Sequence, residues 1–377
     1  MYEKIDHYVQ SLIERSTPER TAWNVERMRA GKTVEWNYVD GCMLTALLAM
    51  SEITGDSCYY NFAERMVDFF VSEDGSIRTY RPENRCLDDI NEGRVLFELY
   101  RRTGKEKYRL AARMLMEQLD LQPRTSEGSF WHKLIYPDQV WLDGLYMAQP
   151  FSALYQKHFG QEDYSDIVNQ VRTVRRRMRD EKTGLYYHGY DVTRRAFWSD
   201  PETGCSRNFW LRAIGWFSVA LADLLEILPP GSERDEIAAV FTQLMADMDR
   251  YADPDTGMYW QGADQGGREG NYLESSGSSM LAYAMLKGAR LGVLPKEYTA
   301  KGRRTFDGIV NRCLDLSGEE PCLGSICLVA GLGPESNRRR DGSYAYYISE
   351  PVVANDAKGV APFLLCYTEV KRLPPQS

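Results

Sequence analysis

One short segment of the chain gathers four side chains that could carry out chemistry. The segment is WHKLIYPDQVWLDGLYMAQPF, and within twelve positions it holds His132, Asp138, Trp141 and Asp143. Asp143 falls at the N-terminal end of a predicted helix, where a carboxylate can act as a cap for free backbone N–H groups. A cap needs no neighbouring tryptophan or histidine. The segment therefore also fits a proton-transfer site, because a positioned carboxyl group can donate and accept protons.

A second acidic pair, Asp88 and Asp89, precedes Gly93 in much the same relation as Asp143 precedes Gly144. In a closed helical barrel, one of the two would approach Asp143. Neighbouring carboxylates repel each other when both are ionised, which raises the pKa of one and keeps a proton available near neutral pH. Helix capping is the alternative explanation for this pair as well.

A third cluster consists of His188, Trp198, Arg212 and Trp216. Arg212 falls inside a predicted helix, where an unpaired cation is costly. It therefore needs an anionic partner, either a carboxylate of the protein or the carboxylate of a substrate. His188 could be an ordinary structural histidine, but its loop leads toward the same helix ends as the other two clusters.

Helix-period patterns position these clusters. Six mostly apolar helices have a glycine near the start and are predicted at 37–53, 87–102, 142–158, 207–227, 271–291 and 354–371. Six helices with a polar face are predicted at 4–14, 58–71, 104–118, 161–178, 233–251 and 295–312. The recurring glycines, Gly41, Gly93, Gly144, Gly215, Gly277 and Gly359, indicate a degenerate repeat in which inner helices approach closely.

This pattern predicts an all-α fold, an (α/α)6 barrel that forms a single domain over residues 1–377. An open solenoid is the rival layout, but it would need more regular spacing and capping repeats. The segments before the inner helices are rich in Trp, Tyr, Asp, Glu and Arg and would meet at one rim. Loops at such a rim commonly carry function, and aromatic faces beside carboxylates and cations are typical of sugar sites.

Composition excludes several classes of partner. Lysine and arginine number 46 against 54 aspartate and glutamate, and the net charge of −8 argues against nucleic acid. No apolar run is long enough for a membrane span, and the start MYEKIDHYVQSLIER predicts an amphipathic helix rather than a signal peptide, so we expect a cytoplasmic protein. Eight cysteines without a CxxC pair and only four histidines predict no metal site and no cofactor.

Four strings resemble one enzyme family. WNYVDG, YPDQVWLDGLYMAQPF, FWLRAIGWF and LESSGSSMLAYAMLKG are similar to the unsaturated rhamnogalacturonyl hydrolases of glycoside hydrolase family 105, which are related to the unsaturated glucuronyl hydrolases of family 88. The similarity runs from about Trp36 to Pro362. It implies an (α/α)6 fold without a metal. The implied activity is hydration of a 4,5-unsaturated galacturonic acid at the non-reducing end of a short rhamnogalacturonan fragment from pectin.

The resemblance also implies site residues. The family's catalytic aspartate corresponds to Asp143 in an intact VWLDG string, and its second acidic position corresponds to Asp88, which Asp89 adjoins. Its binding residues correspond to Tyr38, His132, Trp141, His188, Arg212 and Trp216. The chain departs from the family's usual FWGR or FWAR string, because Leu211 takes the position of the small residue.

The implied chemistry needs one carboxyl group. The ring oxygen and the C4=C5 double bond of the unsaturated sugar form an enol ether, so protonation at C4 creates an oxocarbenium ion at C5, to which water adds. Asp143 would donate the first proton and then accept one from water. Asp88 would keep the pKa of Asp143 high or bind a hydroxyl. Arg212 and His188 are candidates for the substrate carboxylate, and Trp141 and Trp216 for stacking on sugar rings.

Three alternatives remain open from the sequence. The first is a family 88-like enzyme that acts on unsaturated glycosaminoglycan disaccharides. The second is a sugar epimerase on the same barrel, which would use paired histidines as acid and base. The third is a non-catalytic sugar-binding protein, which would bind the sugar without loss of its alkene.

Overall fold

The computed structural model describes residues 2–318 and 321–374 of the chain, and helices dominate this part. Six long helices form an inner layer: α3 (Tyr38–Thr54), α5 (Arg94–Thr103), α7 (Leu142–His158), α9 (Leu211–Ile227), α11 (Ser275–Arg290) and α14 (Ala357–Arg372). Six form an outer layer: α1 (Tyr2–Glu14), α4 (Ser57–Phe70), α6 (Glu106–Asp120), α8 (Ser165–Met178), α10 (Ser232–Asp249) and α12 (Glu297–Cys313). Two shorter helices are α2 (Val25–Arg29) and α13 (Tyr344–Ser349).

The inner helices close into a ring. Each packs against the next along the chain, and α14 packs back against α3. Helices α4, α6, α8, α10 and α12 each pack on the inner helix that precedes them. Helix α1 is joined to α14 by Asp6, which accepts hydrogen bonds from Tyr367 and Lys371. The predicted (α/α)6 barrel is confirmed, and the open solenoid is wrong.

Burial distinguishes the two layers as the apolar patterns predict. In the outer helix α4 the buried residues follow a helical stripe along one face: Tyr59, Phe62, Ala63, Met66, Val67 and Phe70. In the inner helix α9 every residue from Leu211 to Leu225 is buried. Because α9 is covered on one side by the outer layer and on the other by the barrel interior, no face of this stretch is exposed to solvent.

The glycines near the helix starts permit close approach of neighbouring elements. A Cβ atom on Gly41 would lie 2.5 Å from the Cα of Glu92, and one on Gly215 would lie 2.7 Å from the Sδ of Met280. Distances below 3 Å are not tolerated between a Cβ atom and a backbone carbon. The crowding predicted from the repeat is confirmed at these contacts.

The predicted helix over 87–102 is wrong in its first half. Residues Leu87–Asp89 and Asn91–Gly93 form two 3-10 turns, and α5 begins only at Arg94. One cause is that the Asp89 carbonyl accepts a hydrogen bond from the Trp36 indole at 2.8 Å. It therefore does not accept the α-helical hydrogen bond from the N–H of Gly93, which donates to Ile90 instead. The tighter turns keep Asp88 at the rim.

Short strands organise the rim loops. Strand β1 (Gln139–Trp141) pairs antiparallel with β2 (Gly189–Asp191), so that Trp141 lies opposite Gly189. Further along the chain, β3 (Leu314–Asp315) pairs with β4 (Cys322–Leu323), and β5 (Ile326–Cys327) with β6 (Val352–Val353). The β1–β2 pair brings together two loops that helical periodicity could not relate.

A buried charge network crosses the barrel interior. Asp223 of α9 accepts hydrogen bonds from Arg94 of α5 at 2.6 Å, from Tyr283 of α11 at 2.7 Å and from Lys287 of α11 at 2.8 Å. Although burial opposes ionisation of Asp223, Lys287 and Arg94 lower its pKa to about 2. The network links three inner helices through one carboxylate.

No helix in residues 2–318 and 321–374 is long and apolar enough to cross a membrane. In the same ranges, no group of three or more His, Cys, Asp or Glu side chains is arranged to hold a metal ion.

Candidate active site

Asp143 is the second residue of α7, and its carboxylate accepts no hydrogen bond from the residues that the structure describes. The side chain is 13% exposed, and its Oδ2 atom is buried without a hydrogen-bond partner among the described residues. The N-terminus of α7 has no side-chain cap. By contrast, Asp56 caps α4 by accepting from the backbone N–H of Cys58 at 2.8 Å. Capping is therefore the wrong explanation for Asp143.

His188 lies directly against this carboxylate. Its carbonyl accepts a hydrogen bond from the N–H of Leu142 at 3.0 Å, which fixes the His188 loop to the start of α7. The Nε2 atom lies 3.3 Å from Oδ2 of Asp143, and the Nδ1 atom lies 2.8 Å from the hydroxyl of Tyr347. The imidazole is fully buried. His188 therefore belongs to the site rather than to a separate structural loop.

Asp88 forms a second pair of a carboxylate with an imidazole. Its Oδ2 lies 2.6 Å from the ammonium of Lys133, and its Oδ1 lies 3.4 Å from Nε2 of His132. Although burial opposes ionisation, Lys133 and His132 hold the pKa of Asp88 below its usual value. Burial lowers the pKa of His132 to about 4, so this imidazole is neutral near pH 7. The capping explanation is wrong for Asp88 too, because its turn has no side-chain cap.

Asp89 faces away from these groups. Its Oδ1 accepts a hydrogen bond from the Asn37 amide at 3.2 Å. Burial and the adjacent Asp88 raise the pKa of Asp89 to about 7. The repulsion between carboxylates that the sequence predicts therefore acts within the Asp88–Asp89 pair. Asp88 is the member of the pair that contacts the imidazole at the rim.

Trp141 contacts both imidazoles. Its indole stacks on His132 with ring centroids 4.5 Å apart and meets His188 edge-on at 5.5 Å. Tyr136 also stacks on it at 4.7 Å, and the whole residue is 6% exposed. The two carboxylate–imidazole pairs, Asp88 with His132 and Asp143 with His188, are thus held against one indole.

Arg212 is buried in the first turn of α9 without a direct ion pair in the described part of the chain. Its guanidinium donates to the carbonyls of Cys327 and Leu328, the latter at 3.3 Å, and to the Ser276 hydroxyl at 3.3 Å. Ser276 in turn donates to Glu274 at 2.7 Å. A carboxylate of the protein, one of the two partners expected for Arg212, is therefore wrong as a direct contact, because the Ser276 hydroxyl lies between Arg212 and Glu274.

Trp210 connects Arg212 with the rest of the site. The Arg212 guanidinium lies 5.0 Å from the centre of the Trp210 ring, and that ring lies 4.7 Å from the His188 ring. Deeper in the barrel, Trp216 stacks on Tyr146 at 4.6 Å and meets Tyr38 edge-on at 6.3 Å. Trp216 is 2% exposed, so its main contacts are with protein rings.

Tyr38 is electrostatically tied to the same site. Burial, followed by Glu26 and Asp88, raises the pKa of its phenol well above the usual value, whereas Arg212 acts in the opposite sense. The phenol is therefore neutral and can both donate and accept a hydrogen bond. Its ring contact with Trp216 places it beside the indole that the sequence also assigned to the site.

Two residues of the sequence clusters lie outside this arrangement. Asp138, with a left-handed φ of 60°, lines a separate cavity of about 370 Å³ together with Arg195 and Phe197. Trp198 is buried and belongs to the same small hydrophobic cluster as Trp141. Leu211 lies against α11, since a Cβ on Gly277 would be 2.5 Å from its Cγ.

Sequence reasoning missed three members of the site. Lys133 adjoins His132 and could have been found as the cation nearest the acidic cluster. Trp210 lies in the FWLR string, two positions before Arg212, and could have been found from that proximity. Tyr347 lies 159 positions from His188 in a segment without a periodic pattern, so no local sequence pattern predicts their contact.

Residues 321–350, which belong to the long loop before α14, cover part of the site. Residues 319 and 320 lie outside the described ones. Downstream of them, the carbonyls of Cys327 and Leu328 contact Arg212, and Tyr347 contacts His188. This segment therefore supplies one wall of the site.

The chain matches the family model described as Glycosyl Hydrolase Family 88 over residues 6–374. A glycoside hydrolase from family 105 of C. acetobutylicum ATCC 824 has a similar structure, with a TM-score of 0.87 and 43% identity over 90% of this chain and 94% of that one. The unsaturated glucuronyl hydrolase of Bacillus sp. GL1 shares the fold, with a TM-score of 0.60 and 16% identity over 90% and 88% of the two chains.

Relatives are also found by sequence. Unsaturated rhamnogalacturonyl hydrolase YesR of Bacillus subtilis is 27% identical over 272 residues, which cover 68% of this chain and 72% of that protein. Protein Atu3128 of Agrobacterium fabrum is 36% identical over 228 residues, 59% of this chain and 97% of that protein. With the family model spanning nearly the whole chain and a structure of high identity beside it, the chain belongs to the glycoside hydrolases of the family 88 and family 105 group.

Proposed function

We propose that this glycoside hydrolase removes 4,5-unsaturated galacturonic acid from the non-reducing end of rhamnogalacturonan-derived oligosaccharides, in the degradation of pectin. The observation that carries the proposal is the carboxylate of Asp143, which is buried at the rim, caps no helix and has one oxygen without a hydrogen-bond partner in residues 2–318 and 321–374. The relative named unsaturated rhamnogalacturonyl hydrolase, 27% identical over 68% of this chain, supports the choice of substrate.

In the proposed reaction, the carboxyl group of Asp143 donates its proton to C4 of the sugar. The C4=C5 bond supplies the electron pair for the new C–H bond, and the ring oxygen stabilises the resulting cation at C5. Water adds to C5 while the Asp143 carboxylate accepts one of its protons, which restores the acid. The hemiketal formed at C5 opens, and the remainder of the oligosaccharide leaves from C1 as the alcohol.

The surroundings of Asp88 support a mechanism with one active carboxyl group. Hydrolases that attack the glycosidic bond directly use two carboxyl groups about 5–9.5 Å apart, one of them as an acid and the other as a nucleophile or base. Asp88 contacts Lys133 through one oxygen and His132 through the other, and its pKa is lowered. We assign it to charge balance and substrate binding rather than to a second catalytic step.

Two cations are candidates for the carboxylate of the uronic acid. Lys133 keeps 26% of its side chain exposed beside Asp88. Arg212 is buried, but its positive charge contacts only neutral oxygens and its Nε atom has no partner in the described residues. Both fit an anionic sugar in a chain whose overall charge is negative. We assign further contacts with the sugar to His188, Tyr38, Trp141 and Trp216.

The proposal is tested by turnover of two unsaturated disaccharides side by side, one released by a rhamnogalacturonan lyase and one released from chondroitin. Loss of the ultraviolet absorbance of the alkene measures hydration. We expect rapid loss with the rhamnogalacturonan disaccharide only. Preferential turnover of the chondroitin disaccharide would instead support a glucuronyl hydrolase, and binding of either without loss of absorbance would indicate a sugar-binding protein.

A further inference from the structure

We propose that Tyr347 is a positioning residue that sets the tautomer of His188 and thereby selects which oxygen of Asp143 carries the catalytic proton. The inference rests on the proposed role of Asp143 as acid and base. It concerns a residue that contacts Asp143 only through the imidazole, since its hydroxyl lies 2.8 Å from Nδ1 and the opposite ring atom faces the carboxylate.

The position of Tyr347 is closely determined by packing. It lies on the short helix α13, is buried, and stacks parallel to Trp210 with an angle of 8° between the rings. The same Trp210 lies 4.7 Å from His188. Three aromatic rings are thus packed together, and the hydroxyl of Tyr347 has little freedom to turn toward another acceptor.

The direction of the hydrogen bond follows from the available acceptors. Burial raises the pKa of Tyr347 well above its usual value, so the phenol keeps its proton. Among the described residues, Nδ1 of His188 is the only hydrogen-bond partner of this hydroxyl. Tyr347 therefore donates, and Nδ1 accepts through its lone pair. A neutral imidazole that accepts at Nδ1 carries its proton on Nε2.

This tautomer has a consequence for Asp143. The Nε2–H group faces Oδ2 of Asp143 across 3.3 Å, and neither atom has another partner in the described residues. The hydroxyl oxygen of a carboxylic acid is a weaker acceptor than its carbonyl oxygen, so Nε2–H favours Oδ2 as the carbonyl oxygen and the acidic proton of Asp143 on Oδ1. After Asp143 has protonated C4, its carboxylate still faces Nε2–H of His188 and can accept a hydrogen bond from it. Long hydrogen bonds at catalytic groups commonly shorten once substrate is bound.

The tautomer can be measured without substrate. In protein labelled with ¹⁵N-histidine, long-range ¹H–¹⁵N correlation spectra distinguish the two neutral tautomers, and the chain has only four histidines to assign. We expect His188 in the Nε2–H form in the unaltered chain. In Tyr347→Phe we expect a shift toward the Nδ1–H form, since the donor to Nδ1 is gone. The control is Tyr346→Phe, the same change one residue earlier, where the hydroxyl accepts from Gly331 N–H instead.

Kinetics give the second readout. We expect Tyr347→Phe to lower kcat by about 10- to 100-fold, in the range seen when a partner that orients a functional histidine is removed, while KM changes by less than about threefold.

An Nδ1–H tautomer in the unaltered chain would overturn the inference, as would an unchanged tautomer or an unchanged kcat in Tyr347→Phe. If the unaltered enzyme does not act on unsaturated uronides at all, the proposed function fails, while the tautomer measurement still decides the role of Tyr347. A Tyr347→Phe chain that does not fold leaves the tautomer of the unaltered chain as the deciding result.

Discussion

Asp143 and Asp88 show how neighbours divide roles between two carboxylates. Asp143 has an imidazole beside one oxygen and no ion pair with a lysine or arginine among the described residues. Asp88 has both an imidazole and the Lys133 ammonium, which favour its ionised form. A carboxyl group without a fixed cation is better suited to give up and recover a proton, whereas a paired carboxylate is better suited to hold charge.

Replacement of Asp88 tests this division. In Asp88→Asn the ammonium of Lys133 loses its carboxylate at 2.6 Å, so we expect kcat/KM to fall by roughly 30-fold, which corresponds to removal of one partner of a buried charge pair. Asp89→Asn is the matched control, because Asp89 contacts Asn37 rather than the imidazoles. Equal losses in the two variants, measured by alkene absorbance, would contradict the assignment.

Asp89 also predicts a pH dependence of stability. The folded chain holds the Asp89 proton up to about pH 7, whereas an unfolded aspartate releases it near pH 4. Stability from this group is therefore fully present below about pH 4 and is lost as the pH rises toward 7. In Asp89→Asn the side chain cannot ionise and still accepts a hydrogen bond from Asn37. The free energy of unfolding of this variant minus that of the unaltered chain should therefore increase by on the order of 3 kcal/mol from pH 4 to pH 8. Urea unfolding at both pH values measures the difference, and a difference independent of pH would contradict the prediction.

At the scale of elements, turns and strands deliver side chains that the helices alone would not bring together. Periodicity predicted the twelve long helices, because each must bury an apolar stripe or, for the inner ones, nearly its whole surface. It could not predict the 3-10 turns around Asp88, since these depend on an indole 53 positions away that takes the Asp89 carbonyl. The β1–β2 pair that brings His188 to Asp143 has three residues on each side, too few for a periodic signal.

The site was predictable to a similar extent. Family-like strings pointed to Asp143, Trp141 and Arg212, because these residues lie at helix starts within a few positions of a glycine. The strings could not show that Arg212 is enclosed by carbonyls of a loop more than 110 positions away. The role of Tyr347 depends on a contact of the same long range. These long-range contacts form only when the inner helices close into a ring, so no local sequence pattern predicts them.

The close approach at Gly41 gives a prediction for the elements. In Gly41→Ala the new Cβ would lie 2.5 Å from the Glu92 Cα, so α3 and the turn before α5 must separate. We expect a loss of about 1–3 kcal/mol in the free energy of unfolding, as overpacked positions show, together with lower activity because the same turn region carries Asp88. Gly231→Ala is the control, since nothing lies within 4 Å of its Cβ position, and it should change stability by less than about 0.5 kcal/mol. Similar urea midpoints for the two variants would contradict the account.

At the scale of the whole molecule, the barrel encloses a polar interior below the rim. Asp223 balances Arg94 and Lys287 from different inner helices, so its carboxylate connects elements far apart in the chain. Arg94 in turn lies 5.1 Å from the centre of the Tyr146 ring, which stacks on Trp216. The interior network thus supports the ring stack beneath the site.

Removal of the central charge should destabilise the closed ring. We expect Asp223→Asn to lower the free energy of unfolding by about 3–5 kcal/mol, because buried Arg94 loses its carboxylate partner and buried Lys287 keeps only Glu226, at 2.6 Å. Glu117→Gln, which breaks an exposed pair with Arg113 at 3.0 Å, should cost no more than about 0.5 kcal/mol. Chemical denaturation of both variants provides the comparison, and a loss at Asp223 as small as that at Glu117 would show that the network is not needed for closure.

The central claim is that Asp143 alone supplies the acid and the base for hydration of the alkene. The most direct measurement is the rate of alkene loss from a lyase-generated rhamnogalacturonan disaccharide by the unaltered enzyme and by Asp143→Asn, with circular dichroism to show that the variant is folded. The account predicts turnover by the unaltered enzyme and a fall in kcat of at least about 100-fold in a folded Asp143→Asn. Near-normal turnover by folded Asp143→Asn would contradict it.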